Sequence, residues 1–328
     1  MTDKVTPGLV SVIVASYNHA PFLDIRMKSL VNQTYQALEI IVIDDCSTDN
    51  SVRVLQAYTS YPQVKLIVRE KNGGWVAVSN QGINISQGEY VLFANCDDDC
   101  DPYLIERLVE KMTQHTRAGL VFCRSLMIDE HGNRLGDDFE VREQAFRNRC
   151  KQDCSLSSYE MRRFLMHSCV IPNLSAALIR RDCFEKVGLL SSEYKACSDW
   201  DLFFRIADHF DFSYVATPLN YFRQHGRTIR SVTKGRVTYD EFFRVLLKQL
   251  SKLEFSASER NRFRMHIMYL WAVELLRYST AGLINFPHHA RLVNSLDRAS
   301  LFYLFPALLK RVLEFPAKAI RLFLKVKP

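Results

Sequence analysis

The 328-residue chain has no apolar run that reaches the ~18 to 20 residues of a membrane-spanning helix. It has no Gly-x-Gly-x-x-Gly after its first strand-like segment, which disfavours a dinucleotide site. It also lacks a Cys-x-x-Cys pair. Cys96 with Cys100, and Cys150 with Cys154, stand one residue too far apart, without the paired histidines usual at structural zinc. The N-terminal residues do not read as a secretory leader, and nine irregularly spaced cysteines do not read as a disulfide framework. These gaps predict free thiols in a reducing cytoplasm. An excess of basic charge is absent from most of the chain. The net charge is +7, yet residues 236–328 alone carry 16 Lys+Arg against 7 Asp+Glu, so the part before them is slightly acidic.

Leu9 to Ala15 is an apolar, β-branched run that ends in Ser16-Tyr17-Asn18, and Pro21 then opens a helical pattern through Leu23, Met27, Leu30 and Val31. A second run, Glu39 to Ile43, ends in Asp44-Asp45-Cys46-Ser47, with Asp49 or Asn50 placed to cap a helix through Val52 and Leu55. A third strand over 64–68, a helix over 76–86 and the apolar run Tyr90 to Ala94 follow. Strands alternating with helices predict an α/β domain with a mostly parallel sheet, covered on both faces.

Asp97, Asp98 and Asp99 stand just past the run ending at Ala94. Three like charges at the mouth of a buried strand repel one another and resist dehydration, so a positive group is expected among them. Mg²⁺ or Mn²⁺ fits, because hard cations prefer carboxylate oxygens and leave coordination positions for substrate phosphates. A solvated acidic turn ahead of Pro102 is the alternative. Tyr17, Asp45 and Asp97 all follow the carboxyl end of a strand, where open α/β sheets bind ligands. Asp45 offers an acceptor to a base N–H or a ribose hydroxyl, and Tyr17 an aromatic face.

Ser11 to Asn18, Ser29 to Tyr35 and Ile41 to Asp49, followed by Asn72-Gly73-Gly74, Asn80-Gln81-Gly82-Ile83 and Gly88-Glu89-Tyr90, resemble the opening of family 2 glycosyltransferases of the GT-A fold. The resemblance implies a Rossmann-like sheet and a nucleotide-sugar donor held by Ala15, Tyr17, Asp45, Asn95, Asp98 and Arg223. It implies Asp97 and His225 as ligands of Mn²⁺ or Mg²⁺. Two positions depart from the family pattern. Counting back from Pro102, Asn95 stands where the first acid of the motif is usual, and Ser79 stands where a cation is frequent.

From Asp129 to Arg163 the composition turns polar, as expected of a variable acceptor side. Ser198-Asp199-Trp200-Asp201-Leu202 then resembles the family's Glu-Asp-Trp-Asp-Leu, which implies Asp199 as catalytic base. Direct displacement at an anomeric carbon needs one carboxylate to take the acceptor proton and one metal to neutralise the leaving diphosphate. Asp201 is expected to favour the helix start. Asn220 to His225 resembles the family's closing Tyr-Arg-x-His, and Gly226 to Arg236, with Arg227, Arg230 and Lys234, suits a lid over phosphates.

The expected organisation is a glycosyltransferase domain over 1–235, with a nucleotide-sugar half (1–125) and an acceptor half (126–235), then a basic helical region over 236–328. Leu308 to Val326, set on a wheel at about 100° per residue, gathers Lys310, Arg311, Glu314, Lys318, Arg321 and Lys325 opposite Leu309, Val312, Leu313, Ile320 and Phe323. Pro316 is expected to divide it into two short helices. Such a segment suits an anionic membrane surface rather than nucleic acid, with a packing helix or dimer contact as the alternative. The sequence therefore predicts a cytoplasmic enzyme, peripheral at the inner face of the plasma membrane. It moves a sugar from a UDP-sugar or similar donor to a glycan or lipid-linked acceptor with inversion, in surface polysaccharide synthesis. The alternatives are a silent nucleotide-sugar-binding scaffold and a sugar-1-phosphate nucleotidyltransferase; the latter is disfavoured because Ser16 to His19 is not a glycine- and lysine-rich loop.

Overall fold

Thr6–Ser16 forms β1, and its residues Val10 to Val14 are buried on both faces. In the computed structural model, which describes residues 5–226, 236–252, 255–277 and 279–324, the same holds for Ile40 to Ile43 of β2 (Leu38–Asp44) and Tyr90 to Phe93 of β4 (Gly88–Phe93). Their apolar continuity is what a sheet between two helical layers requires. Helices α1 (Ala20–Val31), α2 (Ser51–Gln56) and α3 (Trp75–Ile85) alternate with β2, β3 (Val64–Val68) and β4. Asp49 begins α2 by accepting from Ser51 N (2.9 Å) and also from Ala20 N (3.1 Å), so one carboxylate ties the starts of two helices.

The rest of this unit comprises β5 (Asp99–Cys100), α4 (Leu104–Gln114), β6 (Ala118–Ile128), β7 (Arg134–Asp137), α5 (Gln144–Arg149), β8 (Cys154–Leu156), α6 (Ser158–His167), β9 (Ala177–Arg180), α7 (Arg181–Val187), α8 (Ser198–Ala207) and β10 (Asp211–Arg223). The sheet order is β3-β2-β1-β4-β9-β6-β10-β5, with β7 on β6 and β8 on β10. β1, β2, β3 and β4 are mutually parallel, and β6 is parallel to β10. β9 runs antiparallel to both β4 and β6, so β4 and β6 point the same way. Six long strands therefore end on one edge, giving the mostly parallel α/β sheet expected.

Two compact units divide the chain, Met1–Thr228 and Ile229–Pro328. The second is helical: α9 (Arg236–Lys252), α10 (Ala257–Arg277), α11 (Ser279–Asp297) and α12 (Leu304–Leu324). Phe243, Leu246, Leu247, Ile267, Met268, Trp271 and Val293 are buried in it. Arg264 of α10 forks onto Asp297 of α11 at 2.7 and 3.1 Å. Glu314 of α12 accepts from the Tyr269 hydroxyl of α10 at 2.5 Å. The break expected at Pro316 is corrected: α12 runs unbroken from Leu304 to Leu324. A proline removes one i→i−4 bond, which a long helix can absorb.

Candidate active site

The loops after β1 and β2 are built around two carboxylates with different tasks. Asp44, fully buried, accepts from Ser47 N (2.8 Å), Ser47 Oγ (2.6 Å) and Ser16 Oγ (3.2 Å), which fixes the turn after β2. Asp45 accepts from Arg69 Nη1 at 2.5 Å, from Gly73 N at 3.0 Å and from Gly74 N at 2.7 Å. A Cβ at residue 73 would lie 2.6 Å from Arg69 Nη1, so glycine there leaves the guanidinium its place on Asp45. Ala15, half-buried, pairs with Ile43 one residue before β1 ends. Tyr17 projects beyond that end and is 43 % exposed, a ring open to a ligand.

Beyond β4 the acidic residues separate. Asp98 is 0 % exposed and is held by Ser175 Oγ (2.7 Å), Asn173 Nδ2 (2.7 Å), Asn95 Nδ2 (3.2 Å) and Arg223 N (3.0 Å). Burial pushes its carboxyl up, the Asp97 charge adds to this, and the buried Arg26 of α1 works against both. Asp97 goes the other way. Burial would raise it, but the His225 hydrogen bond and the charges of His19 and His225 hold it below the ordinary carboxylate range. His225 Nε2 donates to Asp97 Oδ2 at 2.9 Å. Asp99 accepts from the N–H of its neighbour Cys100 at 2.7 Å. The positive group expected among these aspartates is thus in part the chain's own: Arg26 lies beside Asp98, and the His19 and His225 imidazoles lie beside Asp97. Sequence reading missed His19, Arg69 and Arg26; His19 alone carried a signal, its place two residues beyond Tyr17.

Two of the expected donor-side residues, Arg223 and Asp98, are buried. Arg223 is 1 % exposed, and its guanidinium donates to the carbonyls of Asp97 (2.7 Å) and Asp129 (2.8 Å) and lies 5.3 Å from the Phe22 ring centre. Asp98 is likewise sealed beneath the loop. Both hold the backbone of the acidic loop, Asp98 through Arg223 N and Arg223 through the Asp97 carbonyl. Asn95 sits above them, its N–H on Ser175 Oγ at 2.9 Å. An amide at that position explains the departure from an acid: it donates to Asp98, where a carboxylate would repel it.

His19, Asp97 and His225 bring one ligand atom each to within 4.8 Å of the others. Two imidazoles and a carboxylate held ionised are a donor set that fits a divalent ion. Asp199 lies in the first turn of α8, half-buried, with Oδ1 accepting from Trp200 N at 2.8 Å. Asp201 is bound to Arg205 at 2.8 Å, as a residue that stabilises the helix start would be. The segment before α8 is tied to α3, since Asn80 exchanges two hydrogen bonds with Leu190 (2.9 and 3.0 Å) and Trp75 Nε1 donates to the Lys195 carbonyl (2.8 Å). Buried Ser198 donates to the Ser191 carbonyl at 2.9 Å, a task the family's glutamate could not perform as a carboxylate. The lid residues Arg227, Arg230 and Lys234 lie outside the described residues.

A cavity of about 370 Å³ is lined by Arg124, Phe139, Gln144, Arg147 and Lys151. Arg124 precedes Ser125 on β6, and Ser125 Oγ accepts from Asn220 in the network around Asp98. Adjacent strand residues face opposite ways, so this cavity lies across the sheet from that network.

A mostly parallel, Rossmann-like sheet with aspartates and histidines gathered at its carboxyl edge is the architecture of the GT-A fold. Residues 11–188 match the sequence profile of glycosyl transferase family 2, and the chain belongs to that family. It is 42 % identical over 101 residues to the glycosyltransferase YibD of Escherichia coli, covering 30 % of this chain and 29 % of that protein. It is 29 % identical over 185 residues to the glycosyltransferase GlyG of Streptococcus pneumoniae, covering 55 % and 59 %. The chain thus spans less than two thirds of the length of these curated relatives. S. aureus TarS, solved with UDP-GlcNAc, superimposes with a TM-score of 0.65 at 17 % identity, over 88 % of this chain and 80 % of that one. The mannosyltransferase PcManGT from Pyrobaculum calidifontis, solved with GDP-Man and Mn²⁺, gives 0.52 at 16 % identity, over 92 % and 86 %. These structural likenesses establish the fold.

Proposed function

We propose that this glycosyltransferase moves a sugar from a UDP-sugar or similar nucleotide-diphosphate donor to a hydroxyl of a glycan or lipid-linked acceptor, with inversion, in surface polysaccharide synthesis. The observation that carries the proposal is Asp97, held ionised by His225 at the edge where β1, β2 and β4 end. Tyr17 stacks on the base. Asp45 holds the Gly73-Gly74 loop against the donor side and keeps the Arg69 cation there, where Ser79 supplies none. Arg223 and Asp98 fix the backbone of the acidic loop from below. Asp199 takes the proton of the acceptor hydroxyl as the new C–O bond forms and the bond to the diphosphate breaks. Mn²⁺ or Mg²⁺ held by Asp97 and His225 would neutralise the leaving diphosphate. UDP-GlcNAc bound to TarS and GDP-Man bound to PcManGT support a nucleotide-sugar as donor.

The second unit supports a membrane-surface reading. Phe305 (75 % exposed), Leu309, Val312 and Leu313 form an exposed apolar stripe along α12. No helix among the described residues is long and apolar enough to cross a membrane. Lys318, Arg321 and Lys325, which the reading also needs, lie outside the residues whose side chains are described. The proposal is tested by donor hydrolysis with a set of nucleotide-sugars, with metal and with excess chelator. Hydrolysis or transfer that needs both a nucleotide-sugar and metal supports it. Donor binding without any turnover would instead make the chain a silent binding protein.

A further inference from the structure

His19 has no role in the function proposed above, yet its placement is fixed from three sides. Asn18 takes the left-handed conformation at φ 53° and turns the chain back after β1. Its Oδ1 accepts from Thr48 N at 2.8 Å and from Asp49 N at 3.3 Å, so the turn is clipped to the loop after β2. The His19 backbone N–H donates to Ser51 Oγ at 3.2 Å. The ring is also oriented. Nδ1 lies 2.6 Å from the Tyr17 carbonyl, and a carbonyl can only accept, so Nδ1 carries a proton and, in the neutral ring that a metal requires, Nε2 holds the lone pair. A backbone carbonyl that fixes the tautomer in this way is the usual partner of a metal-binding histidine.

His225 meets His19 edge to face, with ring centres 5.8 Å apart, and rests on Phe22 at 4.8 Å. Both imidazoles converge on Asp97, and the three ligand atoms lie within 4.8 Å of one another. Ligands of one ion at about 2.1 Å bond length stand about 3 Å apart when adjacent and about 4.2 Å apart when opposite, so side-chain shifts of about 1 to 2 Å close the set. Mg²⁺ favours all-oxygen surroundings and usually comes with substrate phosphates, whereas imidazole suits transition ions.

We propose that His19 is a metal ligand, completing with Asp97 and His225 a two-imidazole, one-carboxylate site that binds a divalent transition ion before any nucleotide arrives and disfavours Mg²⁺. The inference rests on the metal reading of Asp97 and adds to it a third ligand, an order of binding and a choice of ion. The ion takes the place of the proton that His225 Nε2 donates to Asp97 Oδ2; that proton is released to solvent and the neutral ring keeps one on Nδ1. The remaining coordination positions stay open to the donor's phosphates.

The test uses the full chain, stripped with chelator and free of nucleotide. Co²⁺ is followed by its visible absorption and Mn²⁺ by electron paramagnetic resonance. His19→Asn keeps a donor for the Tyr17 carbonyl but has no Nε2, so it should melt like the parent while binding Co²⁺ and Mn²⁺ at least about tenfold more weakly. A large excess of Mg²⁺ should not displace Co²⁺ from the parent chain. In the unmutated protein, Mn²⁺ should broaden the ring signals of His19 and His225 before those of the other seven histidines. Unchanged affinity in His19→Asn, together with lost affinity in Asp97→Asn, overturns His19 as a ligand and leaves the metal reading of Asp97 intact. Unchanged affinity in both overturns both.

Discussion

Asn95 donates its side-chain amide to the buried Asp98 carboxylate at 3.2 Å, and Ser175 binds both residues, at the N–H of the first and the carboxylate of the second. The residue that departs from the family's acidic motif is therefore a strut for Asp98, three residues on. Restoring the acid should harm the protein. Asn95→Asp removes a donor and sets a second carboxylate against a sealed one, a loss of about 1 to 3 kcal/mol in unfolding free energy. Chemical denaturation of the two proteins at neutral pH measures it, and an unchanged or raised midpoint would contradict the role given to Asn95.

Arg69 and Gly73 act as one unit on Asp45. Gly73→Ala places a Cβ 2.6 Å from Arg69 Nη1 and should push the guanidinium off the carboxylate. Arg69→Ala removes it outright. Each variant should weaken donor binding, and the double variant should be no worse than the poorer single one, with a coupling between about 0.5 and 3 kcal/mol. Calorimetric titration with a UDP-sugar completes the cycle; strict additivity would mean that the two residues act separately.

Asp199 and Asp201 sit two apart in the same helical turn and should part company kinetically. Asp199→Asn keeps shape and hydrogen bonding but takes no proton, so turnover collapses while donor affinity holds. Asp201→Asn loses its partly buried ion pair with Arg205, whose Nη1 and Nη2 also bind the carbonyls of Val187 and Leu189. It should lower stability by up to about 1 kcal/mol with little effect on turnover. Steady-state kinetics and thermal melts on both variants separate the roles.

Much of this was legible in the sequence because strand-end chemistry is local. The apolar runs gave the strands, and Tyr17, Asp45 and Asp97 fell at their ends as expected. Depth was not legible. Asp97 and Asp98 are neighbours, yet one faces the imidazoles and the other is sealed under the loop, a difference set by Asn173, Ser175 and Arg223 from 75 to 125 residues away. Arg26 lies on the buried side of an unremarkable helix, and nothing in its neighbours marks it as a counter-charge. Pro316 misled for a related reason, since propensity costs one bond while packing sets the helix.

The helical unit should bind anionic surfaces through charge. Lys318, Arg321 and Lys325 changed together to Gln should move the protein from anionic liposomes to the supernatant, each charge being worth about 1 kcal/mol near such a surface. Truncation after Phe305 is the poorer test, because it also removes Glu314 from Tyr269 and Ala307 from the core of the unit. Sedimentation of the triple variant at the parent's level would contradict membrane attachment and favour a packing or dimer role for α12.

The central claim is that Asp97 marks a metal-assisted nucleotide-sugar site. Its most direct test is titration of UDP-GlcNAc into the parent chain and into Asp97→Asn, each with Mn²⁺ and with excess chelator, alongside a thermal melt of both. The account predicts donor binding that depends on Mn²⁺ in the parent and is lost in Asp97→Asn, with the fold retained. Equal binding by both proteins, or binding by the parent that ignores the chelator, would contradict it.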